Sequence, residues 1–286
     1  MPCWFSVAVG RLWQVALLVT WCGGLLTSSV AMEPTPAQKL VGKPGTLIIA
    51  HRGNSVHAPE NTLPAFKSAV KLKADLVELD YYHSSDGIPV VIHDNFLDRT
   101  TDSQQVFGKE KLLVEETPLA QLQMLDAGKW FDLKFAGTRI PTLAESLDCI
   151  QAGSVTLIER KKGDAETCIK LLREKGLVDQ VVVQSFDWEY LAACHKLEPG
   201  LALAALGQDG LTMKRLDAVA QTGAAVVAWD QAKLNKAGIA AIHARGLKAW
   251  VYTVNESARA KELLDGGIDG IITNAPGRML KLLAAR

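Results

Sequence analysis

Short apolar runs alternate with longer amphipathic stretches from about residue 46 to the end of the chain. The runs are about four to six residues long and rich in Val, Ile, Leu and Ala, which is typical of buried strands. We predict strands at Thr46–Ala50, Leu76–Asp80, Val155–Glu159, Val181–Gln184, Leu201–Ala205, Ala225–Ala228, Ala249–Val254 and Gly270–Thr273. We predict helices near residues 62–73, 142–151, 165–175, 187–197, 211–221, 235–244, 257–265 and 276–284.

The order of strand and helix predicts an α/β fold with parallel strands. Parallel strands joined through helices form right-handed crossovers. Eight such units in about 250 residues match a closed (β/α)8 TIM barrel. An open doubly wound sheet is the alternative, but it is disfavoured because no glycine-rich phosphate-binding turn follows the first strand.

One segment, residues 95–140, does not fit this alternation. It separates the second strand from the helix at 142–151 and is far longer than an ordinary strand–helix loop. No linker-like or low-complexity sequence flanks it. We therefore predict an inserted segment after strand 2 within one barrel domain that spans residues 32–286.

The first 31 residues have the pattern of a secretory signal peptide. Arg11 is their one charged residue, an apolar stretch runs over Leu12–Leu26, and the small residues Ser29 and Ala31 precede a plausible cleavage site. Cleavage after Ala31 predicts a periplasmic or secreted protein. The apolar stretch is short and glycine-interrupted for a membrane span. An uncleaved anchor is the alternative, and it would make this segment the protein's one membrane contact.

The composition is that of an ordinary globular protein. Of the 286 residues, 48% are hydrophobic and 22% are charged. The chain has 31 basic and 31 acidic residues, and this balance disfavours a general nucleic-acid partner. Cys149, Cys168 and Cys194 lie beyond the signal segment. We favour buried thiols for these three, although an exported protein could form one disulfide.

The barrel prediction gives a test for candidate chemistry, because active sites of such barrels lie at the C-terminal ends of the strands. The polar and ionisable residues at these ends are His51, Arg52, Glu78, Asp80, His93, Asp94, Glu159, Lys161, Gln184, Tyr252 and Asn255. Charged side chains that point into a barrel are costly to bury. Their convergence on one rim therefore predicts a functional site.

Three carboxylates within this set predict a metal site. Glu78 and Asp80 are two residues apart on one strand, so they point to the same face. Glu159 ends the next barrel strand. A carboxylate set without Cys or His favours one hard divalent cation, Ca²⁺ or Mg²⁺. The alternative is an ion-pair network of these carboxylates with Arg52 and Lys161.

The remaining rim residues predict proton transfer to an anionic substrate. His51 and His93 are candidates for general base and general acid near neutral pH. Arg52 and Lys161 are candidates for anion binding, and the arginine fork suits phosphate.

These residues stand in motifs that resemble those of glycerophosphodiester phosphodiesterases, and the resemblance covers essentially all of residues 46–286. The motifs, in chain order, are His51-Arg52-Gly53, Pro59-Glu60-Asn61-Thr62, Glu78-Leu79-Asp80, Asp86-Gly87, His93-Asp94, Arg99-Thr100-Thr101, Ile140-Pro141-Thr142-Leu143, Glu159-x-Lys161, Ser185-Phe186, Thr253-Val254-Asn255 and Thr273-Asn274. The block from His51 to Asp94 is long and ordered, which argues strongly against a chance match.

The resemblance implies a metal-dependent hydrolase on a TIM barrel. Its substrates would be glycerophosphodiesters, and its products sn-glycerol 3-phosphate and an alcohol. The implied roles are metal binding by Glu78, Asp80 and Glu159, general base and general acid catalysis by His51 and His93, and phosphate neutralisation by Arg52 and Lys161. Attack by the substrate's own glycerol hydroxyl and direct attack by water both remain open, as does the identity of the alcohol.

Two positions depart from the family's usual pattern. Tyr252 stands where the family usually has Trp, and Trp250 lies two residues earlier on the same strand face. We predict that Tyr252, Trp250 and Gln184 line the substrate pocket. Arg160 stands where an aliphatic residue is usual, and it would either reach solvent or add a cation to the rim.

Two other functions compete with this one. A lysophospholipase D or phospholipase-type phosphodiesterase would act on membrane lipid and would need an apolar rim, for which Trp130, Phe131 and Phe135 in the insertion are candidates. A non-catalytic sugar-phosphate binding protein is the third possibility. Such a protein has no use for two histidines beside three carboxylates, which disfavours it.

Overall fold

The fold is taken from a computed structural model that describes residues 1–4 and 33–286. The chain divides into two units, Met1–Glu33 and Pro34–Arg286. The predicted signal peptide and its cleavage site after Ala31 lie almost entirely outside the described residues. Among the described residues, no helix has the length and apolar character needed to cross a membrane.

The second unit is a closed barrel of eight parallel strands, as predicted. The barrel strands are β1 (Leu47–Ala50), β2 (Leu76–His83), β4 (Val155–Arg160), β5 (Val181–Ser185), β6 (Ala202–Gly207), β7 (Val226–Asp230), β8 (Lys248–Tyr252) and β9 (Gly270–Thr273). Closure is achieved by β1, which pairs with β2 on one side and with β9 on the other. The fold is therefore a TIM barrel.

Each predicted helix is present, and the first helix of this unit was not predicted. The helices are α1 (Pro36–Gly42), α2 (Leu63–Lys71), α3 (Ser103–Phe107), α4 (Leu119–Leu122), α5 (Leu143–Ile150), α6 (Ala165–Glu174), α7 (Trp188–Leu197), α8 (Met213–Ala220), α9 (Lys236–His243), α10 (Ser257–Asp265) and α11 (Pro276–Ala284). A capping box of Thr35 and Gln38 begins α1. Ala37 and Val41 of this helix are buried in the cluster of apolar side chains inside the barrel. Helix α1 therefore shields apolar side chains of the barrel interior from solvent.

The strands are buried on both faces, which explains why they read as continuous apolar runs. In β1, Ile49 belongs to the cluster inside the barrel, whereas Ile48 belongs to the cluster between barrel and helices. Leu76 also lies in the interior cluster. Because side chains alternate along a strand, Glu78 and Asp80 share the inward face of Leu76 and lie nearer the mouth.

The insertion forms a small apolar core together with Val90 and Ile92 from the segment before it. Its other members are Leu97, Val114, Leu122, Leu125, Ala127 and Ile140. Strand β2 runs three residues past its predicted end and pairs with the antiparallel strand β3 (Pro89–Val91). Helices α3 and α4 and two 3₁₀ turns fill the rest of the segment. A three-residue strand is too short to show a periodicity, which is why the sequence pattern misses it.

Cys149, Cys168 and Cys194 are free thiols, and the last two are fully buried. The expectation of buried thiols therefore holds for Cys168 and Cys194, while Cys149 is only half-buried.

Candidate active site

The three predicted metal-binding carboxylates meet at the C-terminal mouth of the barrel. Glu78, Asp80 and Glu159 each offer an oxygen, and these oxygens lie within 4.8 Å of one another. Glu78 and Asp80 are fully buried, and Glu159 is 6% exposed. The strand register brings them together, because Asp80 on β2 is the direct partner of Glu159 on β4.

The contacts of these carboxylates leave oxygens unused. Glu78 Oε2 accepts a hydrogen bond from the backbone N–H of Arg52 at 2.7 Å, and Asp80 Oδ2 accepts one from Asn61 Nδ2 at 2.8 Å. Glu78 Oε1 and Asp80 Oδ1 are buried and accept no hydrogen bond from the described part of the chain. Buried polar atoms are nearly always partnered. An all-oxygen set in which buried oxygens lack a hydrogen-bond donor fits a hard divalent cation.

Burial and mutual repulsion shift the pKa values of the set. Burial, together with Asp80 and Glu159, raises the pKa of Glu78 well above its ordinary value. Burial and the charge of Asp80 raise the pKa of Glu159 to about 7. Burial acts in the same direction on Asp80, but Lys161 and Arg52 outweigh it and lower the pKa of that carboxyl. Additional positive charge is therefore needed for all three groups to ionise together.

Two cations border the carboxylates. Arg52 Nε lies 3.3 Å from Asp80 Oδ2, and Lys161 Nζ lies 2.7 Å from Glu159 Oε1 and 3.4 Å from Asp80 Oδ1. The ion-pair network weighed as an alternative is thus present. It does not satisfy the carboxylates completely, since two buried oxygens accept no hydrogen bond from the described residues. The network and a cation site are therefore compatible.

A strained turn places Arg52. Its backbone lies in the left-handed region at φ 57°, and Gly53 follows at φ 83°. A side chain on Gly53 would come within 2.7 Å of the backbone of Ala65. This turn aims the N–H of Arg52 at Glu78. Strained backbone of this kind concentrates at functional sites because the surrounding structure must hold it.

The two predicted histidines are both fixed through Nδ1. His51 Nδ1 lies 2.6 Å from Asn274 Oδ1, and His93 Nδ1 lies 2.6 Å from Asp94 Oδ1. Both partner oxygens accept, so Nδ1 is the protonated nitrogen and Nε2 is the one free for proton transfer. Burial and Arg52 lower the pKa of His51 to about 4. Burial also lowers the pKa of His93.

Asn255 and Asn274 support His51, a role that the sequence pattern did not assign to them. Asn255 Oδ1 accepts hydrogen bonds from the backbone N–H of Asn274 at 2.9 Å and from Thr273 Oγ at 3.2 Å. Asn255 thereby orients Asn274 against His51. Asn274 directly follows β9. The criterion that selected His51, a polar residue at the C-terminal end of a barrel strand, therefore also applies to Asn274.

The residues predicted to line the substrate pocket differ in exposure. Gln184 is buried with its Nε2 3.4 Å from Glu159 Oε2, and Tyr252 is half-buried and donates a hydrogen bond to Gly207 O at 2.8 Å. Trp250 instead has no exposed surface and lies in the interior cluster below Tyr252. Its assignment to the pocket lining is therefore corrected. Trp250 lies two residues before Tyr252 on β8, which places its side chain deeper in the barrel interior, where it supports Tyr252 and has no surface for a substrate to contact.

Two other rim residues have clear places. Phe186, which the sequence did not assign, follows β5 with its side chain 43% exposed and its ring edge-on to Tyr252 at 6.0 Å. Arg160 adds no cation to the carboxylates. Its side chain lies on the opposite strand face, where Nη1 pairs with Asp187 at 2.8 Å and Nε donates to Gly163 O at 2.8 Å.

The fold is that of a TIM-barrel enzyme, and its mouth holds an acidic cluster that could bind a metal ion, next to Arg52 and Lys161. Residues 51–278 match the family described as "Glycerophosphoryl diester phosphodiesterase family". The chain belongs to this family and is a phosphodiesterase.

Two curated relatives are similar over nearly their full lengths. The chain is 33% identical to a glycerophosphodiester phosphodiesterase of Bacillus subtilis (strain 168) over 284 residues, covering 92% of this chain and 94% of the relative. It is 34% identical to a glycerophosphodiester phosphodiesterase of Caldanaerobacter subterraneus over 258 residues, covering 83% of this chain and 98% of the relative.

Solved structures show the same fold. An Oleispira antarctica phosphodiesterase, solved in complex with the product sn-glycerol-3-phosphate, superposes with a TM-score of 0.77 at 29% identity. That match covers 83% of this chain and 96% of the other. A glycerophosphodiester phosphodiesterase from Agrobacterium tumefaciens superposes with a TM-score of 0.71 at 30% identity, covering 85% and 100% of the two chains.

Proposed function

We propose that this protein hydrolyses small glycerophosphodiesters to sn-glycerol 3-phosphate and an alcohol. The observation that carries the proposal is the buried set of Glu78, Asp80 and Glu159, in which two oxygens accept no hydrogen bond from the described residues, beside Arg52 and Lys161. A diester phosphate carries one negative charge, which such a pair of cations can neutralise. The product named for the Oleispira antarctica structure supports the choice of product.

The carboxylates would hold one divalent cation, Ca²⁺ or Mg²⁺. When bound, the cation supplies Lewis-acid charge to the phosphoryl oxygens. Arg52 and Lys161 add positive charge from the protein side, and each has a side chain that is 17% exposed and so can reach a ligand in the mouth. The charge that builds up on the phosphoryl group during the reaction would thus be stabilised by groups already in place.

His51 and His93 would divide the proton transfers. A pKa of about 4 keeps His51 neutral at pH 7, so its Nε2 can take the proton of the attacking nucleophile, whether that is the substrate's glycerol hydroxyl or water. His93 would act in its imidazolium form, in which Nε2 carries a second proton, and would give that proton to the leaving alkoxide. Asn274 and Asp94 hold the two rings through Nδ1. These contacts keep Nε2 as the working nitrogen of each ring.

Release of sn-glycerol 3-phosphate from glycerophosphocholine and glycerophosphoethanolamine tests the proposal. We expect release with Mg²⁺ or Ca²⁺, loss of release after EDTA treatment, and recovery on adding the cation back. A protein that releases no glycerol 3-phosphate with either cation would overturn the proposed activity. Release unaffected by thorough chelation would leave the activity standing and overturn the metal site.

The location is part of the proposal. The pattern of residues 1–31 supports export with cleavage after Ala31, and hence a periplasmic or secreted enzyme. The balance of 31 basic and 31 acidic residues supports a small-molecule partner over a nucleic acid. An intact mass of the mature protein that begins at Met32 is the expected result. A full-length mass in the membrane fraction would instead indicate an uncleaved anchor.

One observation favours a second candidate, hydrolysis of lysophospholipids. The insertion exposes Trp130 by 41% and Leu133 by 73%, an apolar surface of the kind a lipid substrate would need. Comparing kcat/KM for glycerophosphocholine and lysophosphatidylcholine decides between them. We expect the water-soluble diester to be preferred, and a preference for the lipid that falls in Leu133→Ser would reverse this ranking.

A further inference from the structure

A chain of alternating charges joins His93 to Arg52 through Asp94, Arg99 and Glu60. Arg99 and Glu60 have no role in the proton transfers or charge stabilisation described above, whereas Asp94 already holds the His93 ring. In this series of side chains, the His93 imidazole contacts Asp94, Asp94 contacts Arg99, Arg99 contacts Glu60, and Glu60 contacts the Arg52 guanidinium. The series therefore connects a residue proposed to move a proton with one proposed to bind phosphate.

Arg99 lies at the centre of this series of ion pairs and donates two hydrogen bonds to each of the two carboxylates. Nε and Nη2 donate to Asp94 at 2.5 and 3.1 Å, and Nη1 and Nη2 donate to Glu60 at 3.0 and 2.7 Å. A planar guanidinium fixes the groups it binds in this way relative to one another, because its donors have a rigid geometry. Asp94 and Glu60 are thus held at a set separation.

Each carboxylate passes this constraint to the site. Asp94 Oδ1 accepts from His93 Nδ1 at 2.6 Å, and Glu60 Oε1 accepts from Arg52 Nη1 at 2.8 Å. Burial opposes ionisation of Asp94, but hydrogen bonds from Arg99 and His93 outweigh it and lower the pKa of Asp94 to about 2. Asp94 is therefore a permanent acceptor that keeps the proton of His93 on Nδ1.

The insertion holds Arg99 in place. Leu97, two residues earlier, is fully buried in the insertion's core, and Thr101 Oγ donates to Leu97 O at 2.6 Å. The backbone on both sides of Arg99 is thereby anchored, although the Arg99 side chain is 44% exposed. Arg99 therefore connects the packing of residues 95–140 to the barrel mouth.

We propose that Arg99 is a positioning residue that sets the geometry of His93 through Asp94 and of Arg52 through Glu60. The proposal rests on the proposed function, which gives His93 and Arg52 their roles. Loss of Arg99 should therefore affect turnover and substrate binding together.

Arg99 also sets the charge felt by His93. The charged and titratable groups that act on His93 include Asp80 from β2, Arg52 and His51 after β1, Lys161 after β4 and its neighbour Asp94. Removing Arg99 leaves the negative charge of Asp94 uncompensated, so the pKa of His93 should rise. Asp94→Asn removes that charge, so the pKa of His93 should fall. A residue that only stabilised the fold would produce neither shift.

The experiment compares Arg99→Met, Arg99→Lys and Asp94→Asn in the full protein, with Arg245→Met as matched control. Arg245 pairs with Asp217 at 2.7 Å in the turn before β8, at the end of the barrel away from the site. For Arg99→Met we expect kcat to fall about 10–100-fold and KM to rise, and the alkaline limb of kcat to move to higher pH. In Arg99→Lys the alkaline limb of the kcat–pH profile should return to its parent position, because the positive charge is kept. The value of kcat should stay low, because one ammonium cannot donate two hydrogen bonds to each of two carboxylates.

A second measurement is independent of activity. Long-range ¹H–¹⁵N spectra of the metal-free protein report the tautomer and pKa of His93, with its signals assigned by their loss in His93→Gln. We expect the Nδ1–H form in the parent and opposite pKa shifts in Arg99→Met and Asp94→Asn. Unchanged kcat, KM and His93 signals in Arg99→Met, or equal losses in Arg245→Met, would overturn the positioning role. A parent without diesterase activity would overturn the proposed function, while the spectra would still decide whether Arg99 fixes His93.

Discussion

Asp80 and Glu159 are direct partners in the parallel β2–β4 ladder, and a single ammonium, Lys161 Nζ, lies 3.4 Å from one carboxylate and 2.7 Å from the other. Two buried carboxylates on neighbouring strands, only about 5 Å apart, repel unless positive charge compensates them. Lys161 supplies part of that charge. We infer that a bound cation would supply the remaining positive charge.

Glu159→Gln should weaken the cation site. The substitution removes one charged ligand and keeps the side-chain size, so we expect Mg²⁺ or Ca²⁺ affinity to fall by at least about 10–100-fold, measured by titration calorimetry. Glu189→Gln, an exposed residue in the first turn of α7, is the matched control. Equal affinities in the parent and Glu159→Gln would show that the carboxylate is not a ligand.

The stability of the metal-free protein should depend on pH through Glu159. Its pKa is raised by burial and Asp80 from 4.5 to about 7, so the folded state holds the proton more tightly than the unfolded state. The stability from this proton is present below about pH 4.5 and is lost as pH rises through about 7. In EDTA, Glu159→Gln should therefore gain stability relative to the parent between these pH values, measured by urea unfolding. A difference that falls or stays constant over that range contradicts the assignment.

His51→Gln should remove base catalysis while leaving the cation site intact. We expect kcat to fall about 10²–10⁴-fold, the usual contribution of a positioned base, with cation affinity within about twofold of the parent. His57→Gln is the control, because His57 is an exposed histidine of the same loop. Turnover near the parent level in His51→Gln would exclude His51 as the base.

Phe186→Ala should affect substrate binding more than turnover. The ring is 43% exposed and packs edge-on against Tyr252 at 6.0 Å, so it offers an aromatic face to the organic part of a substrate. Such a contact contributes about 1 kcal/mol, which corresponds to about a fivefold rise in KM. Steady-state kinetics on two diesters with different alcohols measures it. A loss confined to kcat would place Phe186 elsewhere in the reaction.

Gly53→Ala should be more destabilising than Gly87→Ala. Both glycines have positive φ, 83° and 78°, so each substitution carries the strain of the left-handed region, about 1–2 kcal/mol. A Cβ on Gly53 would also lie 2.7 Å from the backbone of Ala65, whereas one on Gly87 meets nothing within 4 Å. Urea unfolding should show the larger loss at Gly53. Equal losses would mean that the turn after β1 relaxes easily.

The barrel and its acidic centre could be predicted because both depend on local periodicity. Alternating strands and helices identify the fold, and the two-residue spacing of Glu78 and Asp80 puts both carboxylates on one face. Strand β3, helix α1 and the insertion's core could not be predicted in the same way. Their segments are short, and their stability comes from contacts with distant parts of the chain.

The sequence by itself determined which residues reach the barrel mouth, because strand order and side-chain alternation are encoded locally. The tertiary structure decided what each of them contacts. His51 meets Asn274 across 223 residues of chain, and Arg99 meets Glu60 across 39. It also buried Trp250 below Tyr252 instead of exposing it. Such contacts depend on barrel closure and the path of the insertion, and no local pattern records them.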